Sequence, residues 1–165
     1  MEQEYDYNCF MLETPFKNWN KLLFEIDDSD VYDNEKGEFG KENESHITIL
    51  YGLHGDIPFS RIKKITDNYK EPIGYNISGI GVFQNEDYDV LKLDIESEGL
   101  RKLHNAACKY PYTSDYDEYH PHMTVSYLKS GMGKKYSKIF EQPLQKESNR
   151  FSYSTVDGKK YYWDL

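Results

Sequence analysis

The stretches His46-Ile47-Thr48-Ile49 and His122-Met123-Thr124-Val125 share one pattern, in which a single apolar residue separates a histidine from a threonine. Each stretch follows a polar loop and begins a segment with the alternation typical of a β-strand. Because side chains alternate along a strand, the histidine and the threonine face one way and the apolar residues face the other. The sequence therefore predicts two half-buried strands, each with an imidazole and a hydroxyl on its open face.

The predicted elements around these strands occur twice in the same order, strand–helix–strand–helix–strand. The first half has strands at 5–12, 46–52 and 73–83, with helices running from Thr14-Pro15 to Ile26 and onward from Pro58. The second half has strands at 88–95 and 122–128, helices at 97–109 and 134–141, and a hairpin of strands 150–156 and 159–164. This order predicts one α+β domain over residues 1–165, with internally duplicated lobes of about 1–85 and 86–165. We expect two antiparallel sheets facing a central cleft, with the helices outside.

Composition excludes several classes of protein. The net charge of −9 argues against a long nucleic acid as partner, because such binding requires a basic face. No apolar run is long enough to span a membrane, and the acidic N-terminus does not resemble a signal peptide. The two cysteines form no disulfide framework, which favours a reduced, cytoplasmic protein. Nothing in the sequence indicates an obligate protein partner.

Two facing histidine–threonine pairs suit one kind of chemistry. Cleavage of a phosphodiester beside a ribose 2′-hydroxyl needs a base on one side and an acid on the other. Imidazole titrates near neutrality, so two histidines can fill both roles. The threonine hydroxyls can donate hydrogen bonds to phosphate oxygens as negative charge develops there. This chemistry requires no metal ion and no cofactor.

At these residues the chain resembles the 2H phosphoesterase superfamily, which has two His-x-Thr-x motifs in a bilobal, duplicated fold. The resemblance implies that His46, Thr48, His122 and Thr124 are the catalytic residues of a metal-independent phosphodiesterase. Further stretches are similar to the phage anti-CBASS nucleases: Asp6-Tyr7-Asn8-Cys9, residues 16–21, residues 50–54, residues 133–136 and residues 162–165. This narrower resemblance implies a phage protein that works in the host cytoplasm and cleaves 3′–5′ bonds of cyclic di- and trinucleotide messengers, such as 3′,3′-cyclic GMP–AMP.

Three further residues are predicted to bind substrate. Tyr7 and Trp163 lie near the two chain ends, where terminal strands can border a cleft, and their rings suit stacking on bases. Lys134 follows the second motif strand in a glycine-rich stretch, where it would either neutralise a second phosphate or lie in a solvated turn. His104 falls on the apolar stripe of a helix and is predicted to be structural.

Alternatives remain open at this stage. His120 and His122, with Asp115, Asp117 and Glu118, allow a metal-site interpretation, whereas His120 could instead orient its loop or contact substrate. Two other functions fit the motifs: an enzyme that opens 2′,3′-cyclic phosphates at RNA ends, and a protein that binds cyclic nucleotides without cleaving them.

Overall fold

The computed structural model describes residues 6–14, 25–37, 39–42 and 44–165. The helix predicted from Thr14-Pro15, with Trp19 in its apolar stripe, falls largely on residues 15–24, outside the described residues.

The described residues form eight strands and two α-helices. The strands are β1 (Asn8–Thr14), β2 (Ser45–Leu53), β3 (Ile73–Gln84), β4 (Tyr88–Glu96), β5 (His122–Lys129), β6 (Lys138–Ser148), β7 (Arg150–Ser154) and β8 (Lys160–Asp164). The helices are α1 (Phe59–Ile65) and α2 (Glu98–Ala107). Within the described ranges, neither helix is long and apolar enough to cross a membrane.

All eight strands belong to one antiparallel sheet in the order β6-β3-β4-β5-β2-β1-β7-β8. The prediction of two separate sheets was therefore wrong, although the α+β class is confirmed. The physical reason lies at the centre of the sheet, where β2 and β5 pair directly through Ile47 and Met123. This pairing joins the two motif strands edge to edge instead of leaving them on opposed sheets.

The sheet order mixes the two halves of the chain. β3 comes from the first half but lies beside β4. β7 comes from the second half but lies beside β1, and β8 follows it at the edge. The single domain over 1–165 and its division into two sequence lobes remain predictions.

The core lies between one face of the sheet and the helices. Ile47, Ile49, Met123 and Val125 are fully buried on this face, as the alternation in both motifs predicts. They share one cluster with the buried side chains of α1 and α2. Each motif histidine and threonine consequently faces away from the helices.

Helix α2 matches its sequence signals. The Ser97 hydroxyl caps its first turn by accepting a hydrogen bond from the backbone N–H of Leu100 at 3.1 Å. Leu100, Leu103 and Ala107 form the buried stripe. The predicted hairpin at the C-terminal end also forms, as β7 and β8.

The helix predicted at 134–141 is absent. Residues Lys134–Tyr136 form one 3₁₀ turn, and the chain then enters β6, which among the described strands pairs with β3 alone and forms an edge. Most side chains of β6 are exposed, so its sequence lacks the apolar alternation that would have predicted a strand.

Candidate active site

The two motifs meet on the open face of the sheet. Ile47 lies opposite Met123, so the antiparallel ladder sets His46 beside Thr124 and Thr48 beside His122. Directly opposite Cβ atoms in such a ladder are about 4.5–5.5 Å apart, and diagonal neighbours about 7–8 Å. Two imidazoles and two hydroxyls are therefore grouped on neighbouring positions of one face of the sheet.

Beyond this junction β2 and β5 separate, and side chains replace the missing strand hydrogen bonds. The Tyr119 hydroxyl donates to the carbonyl of Thr48 at 2.8 Å, and His104 Nδ1 lies 2.7 Å from the carbonyl of Ile49. The rings of His104 and Tyr119 stack in parallel with their centroids 4.1 Å apart. His104 thus has the structural role predicted from the sequence.

His122 is held in one orientation. Its Nδ1 lies 2.9 Å from the carbonyl of His120, and because a carbonyl only accepts, Nδ1 carries the proton. In the neutral ring this leaves Nε2 with a free lone pair. The edge of the Phe83 ring packs against the imidazole, with centroids 5.0 Å apart.

The pKa of His122 is lowered from its ordinary value. Burial is the main cause, since it penalises the charged form, and the nearby Lys92 ammonium also lowers this pKa. The hydrogen bond to His120 and the Asp94 carboxylate act in the opposite direction.

The pKa of His46 is also lowered, again mainly by burial. Glu13 raises this pKa, whereas the positive charge of Lys160 and the neighbouring His122 lower it. Both imidazoles are consequently biased toward the neutral form, which a general base requires.

Each motif histidine lies opposite an acidic residue on the adjacent strand, and each of these carboxylates forms an ion pair with a lysine. Glu13 is the register partner of His46, and its Oε1 lies 3.2 Å from Lys160 Nζ and 2.6 Å from the Ser152 hydroxyl, which donates to it. On the other side Asp94 is the register partner of His122 and forms an ion pair with Lys92.

Sequence reasoning missed these carboxylate–lysine pairs. The alternation in the predicted strand 88–95 was the signal that could have found one of them, because it puts Lys92 and Asp94 on the polar face. Glu13 and Lys160 lie far apart in the sequence, so only the tertiary fold reveals their pairing.

Thr48 has the half-buried thiol of Cys9 as its neighbour. The Cys9 side chain hydrogen-bonds with Thr48, and burial raises the pKa of the Cys9 thiol to about 12. A thiol with this pKa stays protonated at neutral pH, which makes Cys9 unsuited to act as a nucleophile.

Tyr7 packs at the end of β2 that is remote from His46. Its ring packs edge-on against Tyr51 at 5.9 Å, and Tyr51 lies opposite Cys9 in the ladder between β1 and β2. The His54 ring also stacks on Tyr7, with the ring centroids 6.2 Å apart.

Trp163 does not border the cleft. Its side chain is only 8% exposed, it stacks on Phe10 at 5.9 Å, and its Nε1 donates to the Thr66 hydroxyl at 2.9 Å. The expected cleft position is corrected for a simple reason: alternation along β8 turns Trp163 toward the core. Its neighbour Tyr162 is partly exposed on the open face, with Arg150 and Lys160 near its ring.

Lys134 is exposed in the 3₁₀ turn that follows β5. His122 begins β5, and eight residues of strand span about 26 Å, so Lys134 follows the end of β5 that is remote from the histidine. The structure thus does not bring Lys134 close to the two motif histidines.

The alternative metal cluster is spread over an exposed loop. His120 Nε2 lies 3.5 Å from a carboxylate oxygen of Glu118, and both side chains are mostly exposed. Across the ranges that the structure describes, no three His, Cys, Asp or Glu side chains are grouped to hold a metal ion.

Comparison with known proteins gives a family and a fold. Residues 36–157, more than half of the chain and including both motifs, match the family described as anti-CBASS protein Acb1. The fold is similar to that of E. coli LigT complexed with 3′-AMP, with a TM-score of 0.58, 15% identity, and coverage of 97% of this chain and 95% of that chain. A second crystal structure, of a phosphoesterase, gives a TM-score of 0.51 at 14% identity and covers 100% of this chain and 96% of that chain. No curated protein matches the chain.

Proposed function

Because the chain belongs to the Acb1 family of anti-CBASS proteins, we propose that it is a metal-independent phosphodiesterase of the 2H type. Its substrates are cyclic di- and trinucleotide messengers such as 3′,3′-cyclic GMP–AMP, and it cleaves their 3′–5′ bonds to give linear products. In this role a phage protein in the bacterial cytoplasm removes the signal on which the CBASS defence of the host depends.

One observation carries the proposal: the Ile47–Met123 pairing, which gathers His46, Thr48, His122 and Thr124 on the open face. A histidine that only stabilised a loop at the start of a strand would not need to lie beside a second His-x-Thr motif on the adjacent strand. Two imidazoles on neighbouring strands, diagonal to each other, suit in-line displacement, in which the base and the acid act from opposite sides of one phosphate.

The reaction follows from this arrangement. One neutral imidazole removes the proton of the 2′-hydroxyl, and the 2′ oxygen forms a bond to phosphorus. The bond between phosphorus and the 5′ oxygen breaks, and the other imidazole, in its protonated form, donates its proton to that oxygen. The immediate product is linear, with a 2′,3′-cyclic phosphate at one end.

The threonines act on the charge that develops during this step. As the 2′ oxygen adds, negative charge accumulates on the non-bridging phosphate oxygens. Hydroxyl donors that are already in place stabilise this charge more than they stabilise the ground state. Thr48 and Thr124 flank the space between the histidines, one on each strand, and can donate to the two oxygens.

The inventory of groups supports the substrate's own hydroxyl as the nucleophile. The Cys9 thiol is protonated at neutral pH because of its raised pKa. A 2′-hydroxyl is attached beside the phosphate and needs only deprotonation, since its position is already fixed. E. coli LigT, whose fold this chain shares, was crystallised with 3′-AMP, and a nucleotide phosphate in that fold is consistent with this substrate class.

Product analysis tests the proposal. The full chain is incubated with 3′,3′-cyclic GMP–AMP in excess EDTA, and the products are separated by chromatography. The double variant His46→Ala/His122→Ala, purified in parallel, controls for contaminating nucleases. Linear product from the wild type alone is expected.

Other outcomes would overturn the proposal in distinguishable ways. Intact ligand that co-purifies with the protein would indicate a protein that binds cyclic nucleotides without cleaving them. Cleavage confined to RNA ends that carry a 2′,3′-cyclic phosphate would indicate an RNA-end enzyme. Activity lost in EDTA and restored by a divalent cation would favour a metal site at His120.

A further inference from the structure

We propose that Lys92 is a further substrate-binding residue, whose ammonium group contacts the scissile phosphate beside Thr124, and that Asp94 is the positioning residue that holds this group in place. The inference rests on the proposed function and deepens it, because it adds a cation to a site built so far from neutral donors and imidazoles.

The register of the sheet brings Lys92 to the site. Lys92 lies directly opposite Thr124 in the ladder between β4 and β5, and Asp94 lies opposite His122 in the same ladder. Directly opposite residues present their side chains on the same face. Lys92 therefore extends the row of functional groups on the open face by one strand.

Two neighbours fix the ammonium group. Lys92 Nζ forms an ion pair with Asp94 Oδ1 and lies 4.5 Å from the centre of the Phe83 ring. The same Phe83 ring packs edge-on against His122 at 5.0 Å. The Lys92 ammonium and the His122 imidazole thus both pack against the Phe83 ring.

The fold leaves space for this ion pair. Gly81 is the register partner of Lys92, and a Cβ at that position would lie 2.8 Å from Asp94 Oδ2 and 2.9 Å from Lys92 Nζ. Real Cβ atoms do not approach so closely, so any side chain at position 81 would displace the pair.

The lysine side chain is the more enclosed partner of the pair. The Lys92 side chain is 14% exposed, whereas that of Asp94 is 42% exposed. An ammonium has three donors, and one carboxylate oxygen does not use them all. A largely enclosed lysine with spare donors beside Thr124 is suited to bind a phosphate oxygen.

In the Glu13–Lys160 ion pair beside His46, the relative exposure of acid and base is reversed. There the carboxylate is the more enclosed partner, with Glu13 12% exposed and Lys160 29% exposed, and Ser152 supplies Glu13 with a second donor. The positive group is therefore the more enclosed one on the Thr124 side only, which is why the inference concerns Lys92 and not Lys160.

The test compares Lys92→Met, Lys92→Arg and Asp94→Asn with the wild type. Lys102→Met is the matched control, since Lys102 forms a surface ion pair with Glu98 on α2. Inorganic phosphate binding is followed by NMR titration, and kcat/KM is measured with 3′,3′-cyclic GMP–AMP.

Lys92→Met is expected to weaken phosphate binding and to lower kcat/KM by about 10- to 100-fold, the range for a charge-assisted hydrogen bond. Lys92→Arg should recover part of the loss, and Lys102→Met should change neither quantity.

The pH profile separates this role from a merely structural one. Among the described residues, four charged or titratable groups surround His122. They are Lys92 and Asp94 on β4, His46 on β2, and His120 in the loop just before β5. Lys92 lowers the pKa of His122 and Asp94 raises it. Lys92→Met should therefore move the limb of the profile that belongs to His122 to higher pH, and Asp94→Asn should move it to lower pH.

The results distinguish failure of this inference from failure of the proposed function. If the wild type cleaves the dinucleotide but Lys92→Met keeps phosphate affinity and kcat/KM within about twofold, Lys92 does not contact the phosphate and the inference fails alone. If the wild type does not cleave the dinucleotide but Lys92→Met weakens phosphate binding, the proposed function fails and the Lys92 contact stands.

Discussion

Ile47 on β2 lies directly opposite Met123 on β5, with both side chains fully buried. Their neighbours on either side point to the opposite face, so this apolar pair sets the spacing of His46, Thr48, His122 and Thr124. The site therefore stands on two central strands of one sheet, and its geometry depends on strand register. A slip of one residue in either strand would turn its histidine toward the core.

Removal of either motif hydroxyl should slow the reaction without unfolding the protein. Thr48→Val and Thr124→Val each remove one donor to the developing phosphate charge while nearly preserving shape. We expect kcat to fall by about 10- to 1000-fold in each variant. Steady-state kinetics checks the rate, and thermal unfolding checks that stability changes little. Full rate in both variants would make the threonines structural.

The pH profile of kcat/KM should be bell-shaped, with a maximum on the acidic side of 6.5, the ordinary pKa of histidine. Burial lowers the pKa of both histidines, and the reaction needs one imidazole neutral and the other protonated. Above both pKa values the acid is lost, and below both the base is lost. Bound phosphate favours the protonated form, so the profile of kcat should lie at higher pH. Rates measured from about pH 5 to about pH 9 test this, and a flat profile would exclude the paired-histidine account.

Cleavage should require the ribose 2′-hydroxyl. A cyclic dinucleotide with 2′-deoxyribose keeps its phosphates and bases, so it should bind with similar affinity yet resist cleavage. Calorimetric binding and product analysis of the same samples check both halves of this expectation. Hydrolysis at the rate of the ribose parent would identify an activated water as the nucleophile.

Gly52 should be intolerant of a side chain. Its φ is +114°, a conformation that favours glycine, and a Cβ there would collide with the carbonyl of Thr113 in the loop that closes the end of β2. Gly52→Ala should lower the free energy of unfolding by at least about 2 kcal/mol. Gly74→Ala is the matched control, because Gly74 has open space around its Cβ position. Urea unfolding of both variants measures the difference, and equal stability would contradict the close approach.

The sequence predicted the strands and helices in which apolar residues recur at a regular spacing. Both motif strands, the α2 helix with its Ser97 cap and the C-terminal hairpin form close to their predicted bounds. β6 was missed because an exposed edge strand carries no apolar alternation. The single sheet was missed because local sequence does not specify which strand edges meet, and the β2–β5 contact depends on long-range pairing.

The sequence motifs indicated the candidate site, whose catalytic role remains a prediction, but not its surroundings. A repeated motif identified two histidines and two threonines, and the register places the four on one face. The charged residues that shift the pKa of the two histidines come from other strands. Glu13 and Lys160 are remote in sequence, and the position of Lys92 opposite Thr124 follows only from the strand register. The position of Trp163 near the chain end predicts a place in the cleft, but strand alternation turns its side chain into the core and leaves Tyr162 exposed.

The most direct measurement of the central claim is the turnover of 3′,3′-cyclic GMP–AMP in EDTA by His46→Ala and by His122→Ala, each compared with the wild type. The wild type should yield linear product, and each variant should lose at least about 100-fold in kcat. Both variants should still fold and bind the dinucleotide, because the threonines and the aromatic surroundings remain. Near-normal turnover in either single variant would contradict a mechanism that needs both imidazoles.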